Sequence, residues 1–115
     1  MKTTAYLRIS TVDQDIEKNK SDILKLANEK RLGYVEFIEE QISGKVSWRN
    51  RKIFAIINEA KKDDVIIVSE LSRLGRSMLE IMEILSIATQ KQLKIYSVKG
   101  GYRPTKGFFF QQYLN

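Results

Sequence analysis

The chain has 115 residues, 43% of them hydrophobic, which is room for one compact core and too little for two ordinary domains. It contains no cysteine and no histidine, so disulfides, thiolate or imidazole metal ligands and a histidine base are excluded, and any chemistry runs on hydroxyls, carboxylates, Lys and Arg. Lys and Arg number 20 against 14 Asp and Glu, and the resulting net charge of +6 with a pI near 9.6 suits a polyanion such as DNA.

Thr3 to Ile9 carries Thr, Tyr, Leu and Ile around Arg8 and predicts a first strand that ends at Ser10-Thr11. A helix follows from about Asp15 to Lys30, with Ile16, Ile23, Leu24, Leu26 and Ala27 as its apolar face and Thr11-x-x-Gln14 or Asp13 as its cap. Gly33 ends that helix, and Tyr34 to Ile38 predicts a short second strand. From Glu39 to Asn50 neither period holds, which marks a candidate mobile loop. Ile53, Phe54, Ile56 and Ile57 predict a short amphipathic helix to about Lys61, and Asp63-Asp64 turns the chain into a third strand.

That strand, Val65-Ile66-Ile67-Val68, is continuously apolar, the pattern of a strand covered on both faces. Beyond the polar stretch Ser69 to Arg76, Ser77-x-x-Glu80 is a capping box opening a helix with Met78, Ile81, Met82, Leu85 and Ala88 on its inner face. Leu93 to Val98 is a fourth strand, broken by Gly100-Gly101, whereas Tyr102 to Asn115 follows neither period. The alternation predicts a three-layer α/β domain with a mostly parallel sheet of about four strands flanked by helices.

Three clusters carry the candidate chemistry. Tyr6, Arg8 and Ser10 alternate along the first strand, so they share one face and approach its carboxyl end, where open α/β sheets place their ligands. Ser72-Arg73-Leu74-Gly75-Arg76 follows the third strand at the same edge, and its two arginines, three residues apart, suit one phosphate gripped from two sides. Ser43, Gly44 and Lys45, with Arg49 and Arg51, lie in the irregular segment and can close over the same anion. Each cluster by itself also reads as packing, capping or plain surface charge.

Tyr6-Leu7-Arg8-Ile9-Ser10-Thr11, Ile42-Ser43-Gly44 and Leu71-Ser72-Arg73-Leu74-Gly75-Arg76-Ser77 together resemble, in order and spacing, the signatures of the resolvase/invertase family of serine site-specific recombinases, across roughly residues 3–100. The resemblance implies a resolvase-type catalytic domain with DNA as partner, no cofactor and no metal. It implies Ser10 as the nucleophile of a 5′-phosphoserine intermediate, with Arg8, Arg73 and Arg76 neutralising the phosphate. Tyr6, Ser43, Ser72 and one loop arginine complete the phosphate site; position before the apolar helix favours Arg51, and spacing from Ser43 favours Arg49. Ser72 stands where the family carries Asp, which removes a carboxylate and leaves the base for Ser10 unassigned.

In that family a long helix follows the fourth strand, forms dimers and crosses DNA, and a DNA-reading domain follows it. Residues 1–103 are therefore expected to be a catalytic domain without that helix and without a DNA-binding domain, with 104–115 an unassigned tail; a homodimer and a synaptic tetramer belong to the full-length form. No apolar run spans a bilayer and Met1-Lys2-Thr3-Thr4 has no signal-peptide core, so a cytoplasmic protein without a membrane partner is expected. Two other classes fit the residues: a non-catalytic recombinase remnant acting as an interaction module, and a small phosphate-binding α/β enzyme. The second lacks a Gly-x-x-x-x-Gly-Lys loop and an acidic cluster for magnesium.

Overall fold

Four short strands pair in parallel: β1 (Thr3–Ile9), β2 (Val35–Gln41), β3 (Val65–Val68) and β4 (Lys94–Ser97), with β3 built wholly of β-branched residues. The computed structural model describes residues 1–9 and 15–101. Ser10, the expected cap residues Thr11, Asp13 and Gln14, and the tail 104–115 all lie outside them. The strand order is β2-β1-β3-β4, and three helices make the crossovers: α1 (Ile16–Glu29), α2 (Lys52–Glu59) and α3 (Met78–Lys91).

This order decides where the helices go. The chain leaves β1 toward one side of the sheet and leaves β3 toward the other, and right-handed crossovers running in opposite directions put their helices on opposite faces. The core divides accordingly. Ala5, Leu7, Val35, Val65 and Ile67 pack against Ile23 and Ala27 of α1. Tyr6, Ile66, Val68 and Ile95 face the other way, onto Ile53 and Ile57 of α2 and Ile81, Ile84 and Leu85 of α3. Every residue of β3 is buried because that strand feeds both cores, which is why its sequence is apolar without alternation. The three-layer α/β architecture read from the sequence is the one found. Among the described residues no helix is long and apolar enough to cross a membrane.

Several boundaries differ from the sequence reading. The strand β2 begins one residue later than expected, leaving Tyr34 exposed, and runs on to Gln41, because Ile9 of β1 pairs with Gln41 and Ile42 then donates to the Ile9 carbonyl at 3.0 Å. Residues 39–41 therefore belong to the sheet, and Trp48–Asn50 form a 3-10 turn, so the irregular segment is shorter than Glu39 to Asn50. Helix α1 closes at Glu29, and the left-handed backbone at Arg31 (φ 54) and Gly33 (φ 76) turns the chain back to the sheet. Leu24 sits 45% exposed on the outer side of α1, off the predicted face.

The two sides of α1 give a direct check. Ile23→Ala removes fully buried methyl groups and should cost about 2–5 kcal/mol, whereas Leu24→Ala should stay within about 0.5 kcal/mol. Urea unfolding of the two variants measures both, and equal losses would contradict the assigned face.

Candidate functional site

In an open parallel sheet the ligand crevice forms outside the carboxyl ends of the two neighbouring strands whose connections diverge. Here those strands are β1 and β3. Arg8 stands at the end of β1, and the segment Ser69 to Ser77 leaves β3, so two of the three clusters flank the switch point.

Along β1, Tyr6 and Arg8 share the face that looks toward α2. Tyr6 is fully buried, and its phenol donates to Oε1 of Glu40 at 2.8 Å; the same oxygen accepts from the Lys52 amide at the start of α2, also at 2.8 Å. Burial, and then the bond to Glu40 and the charge of that carboxylate, push the Tyr6 phenol well above its ordinary range. Arg8, beside Glu40 in the strand register, sends Nη1 to the Ile42 carbonyl at 2.9 Å, and its guanidinium lies against Gly44, where an added Cβ would stand 3.5 Å from Nη2. That is ordinary contact distance, so Gly44 keeps the loop close to Arg8 without demanding glycine.

The two loop arginines take different places. Arg51 is buried, at 4% exposure, and its guanidinium donates to three main-chain carbonyls: Nε to Val46 at 2.8 Å, Nη2 to Gly44 at 3.0 Å and Nη1 to Arg73 at 3.2 Å. A buried guanidinium is tolerable only when its N–H groups are met, and here meeting them ties the loop to the arginine turn. Arg49 points away from that junction. It lies over the Trp48 ring and pairs with Glu83 of α3 at 2.9 Å, while Trp48 gives its indole N–H to Glu83 at 2.7 Å. Ser43 is exposed and accepts from the Lys45 amide at 3.1 Å.

The two arginines do not lie on one helical turn. A 3-10 turn covers Leu71–Arg73, and Arg76 lies past Gly75 in the link to α3. Nor do the two form a buried charge pair. Arg73, with a side chain 25% exposed, stands 3.4 Å from Glu70, and Arg76, 54% exposed, stands 3.2 Å from Glu80. Ser72, inside that 3-10 turn, is exposed. The structure thus brings Tyr6, Arg8, Gly44, Arg51 and the Arg73 main chain together, and leaves Arg49 on a separate cluster. A cleft of about 130 Å³ bordered by Lys2, Glu36, Glu59 and Asp64 opens at the amino edge of the sheet, and it contains none of these residues.

Sequence reasoning missed the carboxylates. Glu40, Glu70, Glu80 and Glu83 each hold a phenol, an arginine or an indole, and only Glu80 had been singled out, as a capping residue. Half of that capping box forms: the Glu80 amide donates to Ser77 Oγ at 3.2 Å. The Glu80 carboxylate turns instead to the Arg76 amide at 3.0 Å and to the loop.

Residues 3–113 match the family described as Resolvase, N terminal domain. The chain is 31% identical over 100 residues to the DNA-invertase hin of Salmonella typhimurium, covering 85% of this chain and 48% of that protein. Against the Transposon Tn2501 resolvase of Escherichia coli the figures are 28% over 102 residues, 84% and 50%. The chain spans about half the length of these relatives. A crystal structure of a resolvase family site-specific recombinase from Streptococcus pneumoniae superposes with a TM-score of 0.60 at 16% identity, over 96% of this chain and 85% of that one, which is a likeness of fold.

The buried phenol generates a pH prediction. Because the folded state holds Tyr6 above its unfolded value of about 10, its proton is retained in the fold and released on unfolding, so the stabilisation is complete below pH ~10 and is lost as pH rises beyond it. Tyr6→Phe should flatten the alkaline fall in stability measured by denaturant titration between pH 9 and 11. An unchanged alkaline slope would show that Tyr6 is not the linked group.

Proposed function

Since this chain belongs to the resolvase family, whose N-terminal domain it carries, we propose that it is the catalytic domain of a serine site-specific recombinase acting on DNA in the cytoplasm. The observation that carries the reading is the gathering of Arg8 and the Arg73–Arg76 segment around the β1/β3 switch point, with Ser10 the next residue but one after Arg8 in the chain. In this reading the Ser10 hydroxyl attacks a DNA phosphorus. The bond from phosphorus to the 3′ oxygen breaks, the 3′ oxygen takes up a proton to leave as a hydroxyl, and the serine proton is lost, so the 5′ phosphate stays bonded to Ser10. Attack of a 3′ hydroxyl on that ester rejoins the strand and restores the serine. Phosphodiester energy is kept throughout, which suits DNA inversion or resolution in a mobile element.

The arginines supply the electrostatics. Charge grows on the non-bridging oxygens in the transition state, and guanidinium groups already in place there stabilise it without reorganisation. Arg8, Arg73 and Arg76 fill that role, with Ser43 and Ser72 lining the phosphate site and Tyr6, expected there from the sequence, supporting it from the core through Glu40. Arg51 acts from beneath by holding the loop and the Arg73 main chain, and Arg49 acts from the α3 side. Pairing with a second copy, as a dimer and then a synaptic tetramer, belongs to the same proposal.

One observation favours a second reading. Ser72 offers a hydroxyl at the position where the resemblance led one to expect a carboxylate, and a domain lacking that group is suited to a non-catalytic partner of an intact recombinase.

The experiment that separates the two uses the purified chain and a nicked duplex, which traps a covalent adduct. The catalytic reading predicts an SDS-resistant complex whose 5′ phosphate maps to Ser10, lost in Ser10→Ala with DNA binding retained. Binding itself should be sequence-independent and fall steeply with salt. An adduct that survives Ser10→Ala, or none under any condition, would overturn the catalytic reading.

A further inference from the structure

Glu80 lies in the first turn of α3, and its carboxylate reaches back past the helix start. Oε1 accepts from the Trp48 amide at 3.1 Å and from the Arg76 amide at 3.0 Å. Oε2 accepts from Ser47 Oγ at 2.7 Å and stands 3.2 Å from Arg76 Nε. One carboxylate therefore grips both the main chain and the side chain of Arg76, and spends its remaining capacity on the loop that Arg51 secures from the other side.

Two details separate this from a chance surface pair. The Glu80 side chain is 14% exposed while that of Arg76 is 54% exposed, so the anion is sunk and the cation presented. A Cβ at position 75 would come within 2.8 Å of Glu80 Cβ, so Gly75 is what lets the carboxylate fold back over the turn. The contact is made at Nε, on the inner edge of the guanidinium, which suits the outer Nη pair to a phosphate.

We infer that Glu80 is a positioning residue for Arg76, fixing its guanidinium for a DNA phosphate and coupling that arginine to the 43–49 loop. The inference rests on the phosphate-site reading above. Burial opposes the charged form of Glu80, but the bonds from Arg76, Ser47 and Trp48, with the Arg76 charge, outweigh it and hold the carboxyl below its usual range. The anchor is therefore charged throughout the neutral range.

The sign of one effect tests the idea. Glu80→Gln adds one unit of positive charge beside the proposed DNA surface, so charge counting predicts tighter binding. Positioning predicts the reverse: binding of a fluorescent duplex at low salt weaker by roughly three- to tenfold, the size of coupling between contacting residues. It also predicts that the loss disappears when Glu80→Gln is made in an Arg76→Lys background, where no Nε remains to be held. A purely structural role would weaken both backgrounds alike, and that result, or unchanged or tighter binding in the otherwise native chain, overturns the proposal. Arg76→Lys that leaves affinity unchanged would overturn the phosphate-site reading beneath it. Emission of the single tryptophan, Trp48, reports whether the loop is still seated. If Glu80→Gln unseats it, Ser47→Ala, which removes one donor from Oε2, runs the same cycle: a smaller loss confined to the Arg76 background supports positioning, and an equal loss in both refutes it.

Discussion

A guanidinium buried at the carboxyl edge of the sheet holds the rest of the site in place. Arg51 donates to carbonyls of Gly44 and Val46 on the loop and of Arg73 on the turn after β3. Removing it would leave those acceptors and a cavity where a full charge had been, and lysine cannot replace a planar fork that meets three carbonyls. Glu80 is its counterpart of opposite sign: it meets donors of the same loop and of the link that follows the turn, from the α3 side. Between these clamps the loop carries Gly44 against Arg8, the turn carries Arg73, and the link to α3 carries Arg76.

The sheet explains why these segments meet. With β1 and β3 adjacent and their connections diverging, the crevice between them is the place in this fold where main chain from two directions opens to a ligand. Cations held there by carboxylates that are themselves anchored suit a site whose ligand is a phosphate arriving from solvent. Glu70 and Glu80 keep Arg73 and Arg76 compensated before it arrives.

How much of this was legible in the sequence depended on whether the determining contacts were local. Val65 to Val68 could be read because burial on both faces writes itself as an unbroken apolar run, and α3 because Ser77 caps it and Ile81, Leu85 and Ala88 repeat at helical spacing, although Met78, expected on that face, is exposed and Ile84 is buried in its place. The register of β2 could not: Glu39 to Gln41 are polar, and they are strand only because β1 extends to Ile9 beside them. The choice between Arg49 and Arg51 was open for the same reason, since what distinguishes them is α3 on one side and three distant carbonyls on the other. Glu80 was visible as a capping residue, but its partners Ser47 and Trp48 lie more than thirty positions away, where no local period points. The family signatures named the arginines and said nothing of the acidic residues that hold them.

A competing surface exists, because Arg31, Lys61, Lys62 and Lys94 are exposed at the amino edge of the same sheet. Which edge would meet DNA in the proposed function is therefore the direct question. Titrating the isotopically labelled chain with a short duplex and following backbone and arginine side-chain resonances answers it. The largest shifts should fall on Arg8, Gly44, Arg73 and Arg76, with Arg31, Lys61, Lys62 and Lys94 almost unmoved; shifts concentrated on those four amino-edge residues would contradict a phosphate site at the carboxyl edge.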